Sequence, residues 1–124
     1  MNEISNPELI PLENGSILEI IDKSRKIAQD TWVLILIFRI KIDIDKIIID
    51  KIKSVSEDIL VDTLGHNVFY EVIHERNFIK EDLKENVLKE MRDSFLNTNL
   101  KYVSHSDFTA KCVIKKYNEK KKKY

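Results

Sequence analysis

Trp32-Val33-Leu34-Ile35-Leu36-Ile37-Phe38-Arg39-Ile40-Lys41-Ile42-Asp43-Ile44 is the stretch on which the fold turns. Every even position is apolar, the pattern of a β-strand with one buried face, because successive side chains point to opposite sides. The odd positions change character along the run. Val33, Ile35 and Ile37 are apolar, whereas Arg39, Lys41 and Asp43 are charged. The strand is therefore expected to be central, with its second face covered over residues 33–37 and wet beyond. A membrane span is excluded, since the apolar run ends at Arg39, well short of the ~20 residues a spanning helix needs.

Upstream, residues 8–12 and 16–22 are short apolar-rich runs around Glu13-Asn14-Gly15, and Asn-Gly suits a type I′ hairpin turn with positive φ at both residues. Residues 22–30 break the alternation and read as a connection with room for one helical turn. Downstream, residues 46–64 are ambiguous. Ile48, Ile52, Val55 and Ile59 follow helical spacing, Ile47-Ile48-Ile49 resembles a strand continuation, and Ser54-x-x-Glu57 offers a capping box. A helix over about 56–64 closed by Gly65 is the favoured reading. Residues 68–74 read as a fourth strand. Residues 80–98 carry Leu83, Val87, Leu88, Met91 and Phe95 on one stripe, giving the longest helix, ended by Asn97-Thr98-Asn99. Ser104-x-x-Asp107 then starts a last helix bearing Phe108, Ala110, Val113, Ile114 and Tyr117.

The expected fold is α+β: an antiparallel sheet of about four strands with two or three helices on one face, a single domain over residues 8–119, and flexible termini at 1–7 and 120–124. The chain has 124 residues, 43% hydrophobic and 34% charged, which favours a folded protein in water over a disordered or membrane chain. A lone cysteine, Cys112, and no leader pattern at residues 1–7 point to a reducing cytoplasm.

Chemistry-bearing patterns are sparse. His66, His74, His105 and Cys112 lack the paired spacing of a metal site, and Cys112 sits on an apolar helical stripe rather than beside a base, so neither metal nor cofactor is expected. Two polar clusters stand out: Asp22, Ser24, Arg25 and Asp30 before the central strand, and His74, Glu75 and Arg76 at an expected strand-to-helix junction. The first has a structural use, with Asp22 or Ser24 capping a turn and Arg25 pairing with Asp30 across it. Residues 115–124 carry six lysines against Glu119, a basic end on an otherwise acidic chain that can attract nucleic acid.

The run Leu12-Glu13-Asn14-Gly15, Leu18-Glu19, Asp22-x-Ser24-Arg25-x-Ile27-Ala28-x-Asp30-x-Trp32 and Glu75-Arg76-Asn77-Phe78-Ile79 resembles a group of small bacterial proteins without an assigned activity. The resemblance spans most of the chain, from Leu12 to about Tyr117, and carries over no activity; it implies only that these polar residues form a recurring pattern. The leading functional expectation is a non-enzymatic interaction or assembly domain, a homodimer joined through Val33, Ile35 and Ile37. Its monomeric rival has residues 46–64 folding back over that face with Ile47, Ile48 and Ile52. The alternatives are a nucleic-acid-associated protein using the basic tail, and a small enzyme with a site at Arg25, Asp30, His74, Glu75 and Arg76.

Overall fold

The computed structural model describes residues 6–52 and 54–121. Expectations placed on residues 1–5, 53 and 122–124 and on the Ile47 side chain lie outside the described residues. The chain forms an open antiparallel sheet of five strands with four helices, an α+β fold. The strands are β1 (Glu8–Pro11), β2 (Ile17–Asp22), β3 (Arg25–Ala28), β4 (Thr31–Asp43) and β5 (Asn67–Lys80). The helices are α1 (Lys46–Lys51), α2 (Glu57–Leu64), α3 (Lys84–Val103) and α4 (Phe108–Lys121).

β4 is central, with β2 and β3 in tandem along one edge and β5 along the other over nearly its whole length. Residues 22–30 hold no helical turn but the end of β2, the strand β3 and the turn into β4. The register runs unbroken from Asp22↔Leu36 to Arg25↔Val33, so β2 and β3 are one strand interrupted at a single point. The interruption has a visible cause. Asp22 Oδ1 accepts from the Ser24 amide at 2.8 Å, and Ser24 Oγ accepts from the Ile35 amide at 3.0 Å, taking the place of a ladder carbonyl. The reading of about four strands omits β3, which lies within the residues 22–30 read as a connection and continues β2 along β4.

The first hairpin forms, but not with the expected turn. Gly15 has φ +89°, whereas Asn14 is not among the positive-φ residues. The Gly15 amide donates to Leu12 O and the Leu12 amide to Ser16 O, a three-residue loop with glycine in the left-handed position. Asn14 is used differently: its Nδ2 donates to Val103 O at 2.9 Å and His105 O at 3.0 Å, satisfying carbonyls at the end of α3.

The ambiguous 46–64 segment contains two helices. Asp45 caps α1 by accepting from the Ile48 amide at 3.0 Å, and α2 begins after Ser56 and ends at Gly65, φ +81°, so the Ser54–Glu57 box does not form. β5 is twice as long as read. Pairing with the long β4 carries it through the polar residues 74–77 to Lys80, and a 3-10 turn at Glu81–Leu83 delays α3 to Lys84. α3 then continues past Asn97-Thr98-Asn99 to Val103, with Asn99 Nδ2 donating back to Phe95 O.

One core lies between the helices and the even-numbered face of β4. Leu34, Leu36, Phe38, Ile40 and Ile42 pack with Ile48, Ile52, Leu60, Met91, Phe95, Phe108 and Val113. Phe38 stacks on Phe95 with ring centroids 3.9 Å apart. A buried aromatic in such a position typically contributes ~3–5 kcal/mol against truncation to alanine, for lost transfer energy and the cavity left behind.

Candidate functional site

All the helices lie on that one face. Ile48 and Ile52, the isoleucines that would have folded back over the other side of β4, are buried in the common core instead. The odd-numbered face of the sheet is therefore left uncovered by the described elements. Register assigns its rows. Ile21, Ile37 and Ile73 stand side by side on β2, β4 and β5. Next to them come Leu9, Glu19, Arg39 and Glu71 across β1, β2, β4 and β5, and in the following row Lys41 stands beside Phe69. On the opposite side Ile35 lies between Glu75 and Lys23, whose amide donates to Ile35 O at 2.9 Å, and Val33 is paired with Arg25.

The apolar members of this face are exposed to differing degrees. Val33 is buried, and Ile35 and Ile37 are half-buried at the centre of the sheet, where their neighbours crowd them. Leu9, Ile17 and Ile73 are 60%, 49% and 58% exposed. A contiguous apolar stripe of this kind is unusual on a lone domain, whereas singly scattered apolar residues are ordinary. Sequence reading found the β4 members and missed Ile21, Phe69 and Ile73. The signal for Phe69 and Ile73 was present in the alternation Phe69, Glu71, Ile73, which marks a strand with a mixed outer face.

The charges on this face are divided. Lys23 and Arg25 lie on the β2/β3 side, Glu71 and Glu75 on β5, and among the described residues none of the four makes an ion pair. Arg39 lies between them. Its Nη2 is 3.4 Å from Glu19 Oε2, its guanidinium sits over the Phe69 ring at 5.4 Å, and its buried Nε has no partner among the described residues.

The polar residues singled out from the sequence do not meet. Asp22 and Ser24 serve the β2–β3 break. Arg25 is exposed on the open face, while Asp30, in the β3–β4 turn, is 3.4 Å from Lys80 and not paired with Arg25. Lys80 holds the Asp30 carboxyl below its usual range. His74 lies on the opposite, helix-covered face, edge-on to Phe38 and Phe95. Glu75 is on the open face opposite Ile35, and Arg76, opposite Leu34, is exposed beside a bulge where β5 fits two residues, Asn77 and Phe78, against Val33. The polar tetrad is thus strand, not a strand-to-helix junction. Phe78 adopts φ +59° there and is 76% exposed.

Cys112 is half-buried against the core, and burial raises its thiol, opposite to what activates a nucleophile. His105 Nδ1 accepts from the Asp107 amide. Among the described residues no group of histidine, cysteine and carboxylates is placed to hold a metal ion. Lys120 and Lys121 are helical, and Lys120 Nζ donates to Thr63 O near the C-terminal end of α2, so part of the basic tail is tied to the fold. No described helix is long and apolar enough to cross a membrane.

No protein-family model, curated protein sequence or solved structure matches this chain. The residues of the Asp22–Trp32 pattern are accordingly interpreted by what they touch. Within it, Trp32 Nε1 donates to Glu81 Oε1 at 3.4 Å and Lys84 Nζ lies 3.8 Å from the indole centroid, which fastens the start of α3 to the end of the sheet.

Proposed function

We propose that this chain is a non-enzymatic assembly domain that pairs with a second copy of itself through the uncovered face of its sheet. The observation that carries this reading is the burial of Ile48 and Ile52 on the helix side, which leaves the row Ile21, Ile37, Ile73 with no covering element among those described. An open sheet face is broad rather than cleft-like, so it suits a flat macromolecular surface better than a small ligand. Two such faces pack at about 10 Å with their side chains interdigitated. A second copy is the occupant that fits, because the face carries an apolar centre together with charges of both signs side by side, Arg39 on β4 next to the unpaired Glu71 on β5. Such a surface is complementary to itself when turned over, as a two-fold contact requires.

Ile73→Asp tests the location. Ile73 is already 58% exposed, so the substitution leaves the fold in place while setting a carboxylate in the contact. Sedimentation should show the variant at half the wild-type mass with an unchanged circular dichroism spectrum. A variant that keeps the wild-type mass removes this face from the assembly.

A further inference from the structure

We infer that Arg39 and Glu71 set the orientation of the assembled pair: the two-fold axis runs along the strands between β4 and β5, so that each Arg39 faces the partner's Glu71. This rests on the assembly reading above and goes on to specify which residues meet.

Two charged groups on this face are only partly used. Arg39 gives one nitrogen, Nη2, to Glu19, and its side chain remains 35% exposed. Glu71 stands directly across from Arg39 on β5, exposed and in no ion pair among the described residues. A guanidinium offers a planar set of donors, and a carboxylate brought from above reaches the exposed ones that Glu19 leaves free.

Two-fold axes lying in the interface fall into two kinds. An axis along the strands exchanges left and right but keeps each row against itself. Placed between β4 and β5, it lays β4 of one copy over β5 of the other. Ile37 then meets the partner's Ile73, and Arg39 meets the partner's Glu71. The four charges, two from each copy, form a square in which every neighbour has the opposite sign, since Arg39 and Glu71 are also adjacent within each sheet. An axis across the strands, centred on the apolar row, instead lays β5 over β5 and reverses the rows. Glu71 then falls on the partner's Glu75, and Ile35 falls on the partner's Arg39. Both placements bring together groups that repel or desolvate one another. An axis along β4 itself would stack Arg39 on the partner's Arg39 and Glu19 on the partner's Glu71, so the charge pattern selects the axis between β4 and β5, which the apolar row alone does not distinguish from the others.

Cross-linking tests the orientation directly. In a Cys112→Ala background, Ile37→Cys and Ile73→Cys chains carrying distinguishable tags are mixed and treated with a short bis-maleimide. The assignment predicts that the mixed product, Ile37→Cys joined to Ile73→Cys, exceeds either self-linked product several-fold. Self-linking of both Ile37→Cys and Ile73→Cys would instead establish the crosswise axis and overturn the assignment. Self-linking of Ile37→Cys alone would move the axis onto β4, away from the Arg39–Glu71 contact, and overturn it too. In parallel, Glu71→Gln should weaken self-association by about tenfold, and an unchanged dissociation constant would remove Glu71 from the contact. Failure of the assembly reading has a different signature: a wild-type chain that is monomeric, with no cross-linked product in any mixture.

Discussion

Asn14 shows how a single residue type supports two different arguments. Asparagine before glycine suggests a turn with two left-handed residues, yet only Gly15 is left-handed, at φ +89°. Asn14 owes its place to three hydrogen bonds: its Nδ2 to Val103 O and His105 O, and its Oδ1 from the Ser16 amide at 3.0 Å. The partners, at and just beyond the end of α3, lie some ninety positions away in the chain, so no local pattern revealed them. Asn14→Ala should cost about 1–2 kcal/mol in chemical denaturation, because it strands helix-terminal carbonyls as well as loosening the turn. Asn14→Asp should be no better, since a carboxylate cannot donate to those carbonyls and sits at the negative end of a helix. Ser24 offers a second test at this scale. Its Oγ is the acceptor for the Ile35 amide, and Ser24→Ala should cost about 1 kcal/mol, with faster amide exchange at Ile35 as the local readout. The turn-capping role of Asp22 and Ser24 was legible from their residue types, but the partner of Asp30 was not, because Lys80 arrives from a strand whose length the sequence understated.

Among the elements, periodicity identified the long strand and both long helices, and it failed where tertiary pairing overrides local preference. Residues 74–77 are polar and read as the end of a strand, but β4 offers thirteen residues of edge and β5 follows it to Lys80. The bulge at Asn77–Phe78 keeps the two registers compatible. The first strand is fastened in a way the sequence did not announce. Arg92 on α3 holds Glu8 on β1, with Nε 2.7 Å from Oε1, and its hydrogen bonds lower the Glu8 carboxyl below the usual range. A depressed carboxyl contributes stability above its unfolded pKa and loses it as pH falls through the folded value. Both side chains are partly exposed, so solvent screening limits the contribution to about 0.5 kcal/mol. Glu8→Gln should therefore be less stable than wild type by about that amount at pH 7, and the two melting curves should converge as the solution is acidified below pH ~3. A difference that persists at low pH would assign the effect to packing instead.

For the molecule as a whole, the arrangement of one helical layer on one face of an open sheet was anticipated from element order, and so was the double apolar character of residues 33–37. What the sequence left open was which side residues 46–64 would take, because Ile48 and Ile52 suit either face equally well as a pattern. Their place in the core on the helix side decides the matter and gives the open face its meaning. The polar cluster of Arg25, Asp30, His74, Glu75 and Arg76 dissolved for the opposite reason. Strand alternation sends His74 and Glu75 to different faces, which rules out their acting together on one ligand. Closure of the open face by a second copy is tested most directly by the molar mass of the wild-type chain in solution, measured by light scattering at micromolar concentration. The expected mass is about twice the 14.6 kDa of one chain, falling toward one chain on dilution. A mass that stays at 14.6 kDa throughout that range would contradict it.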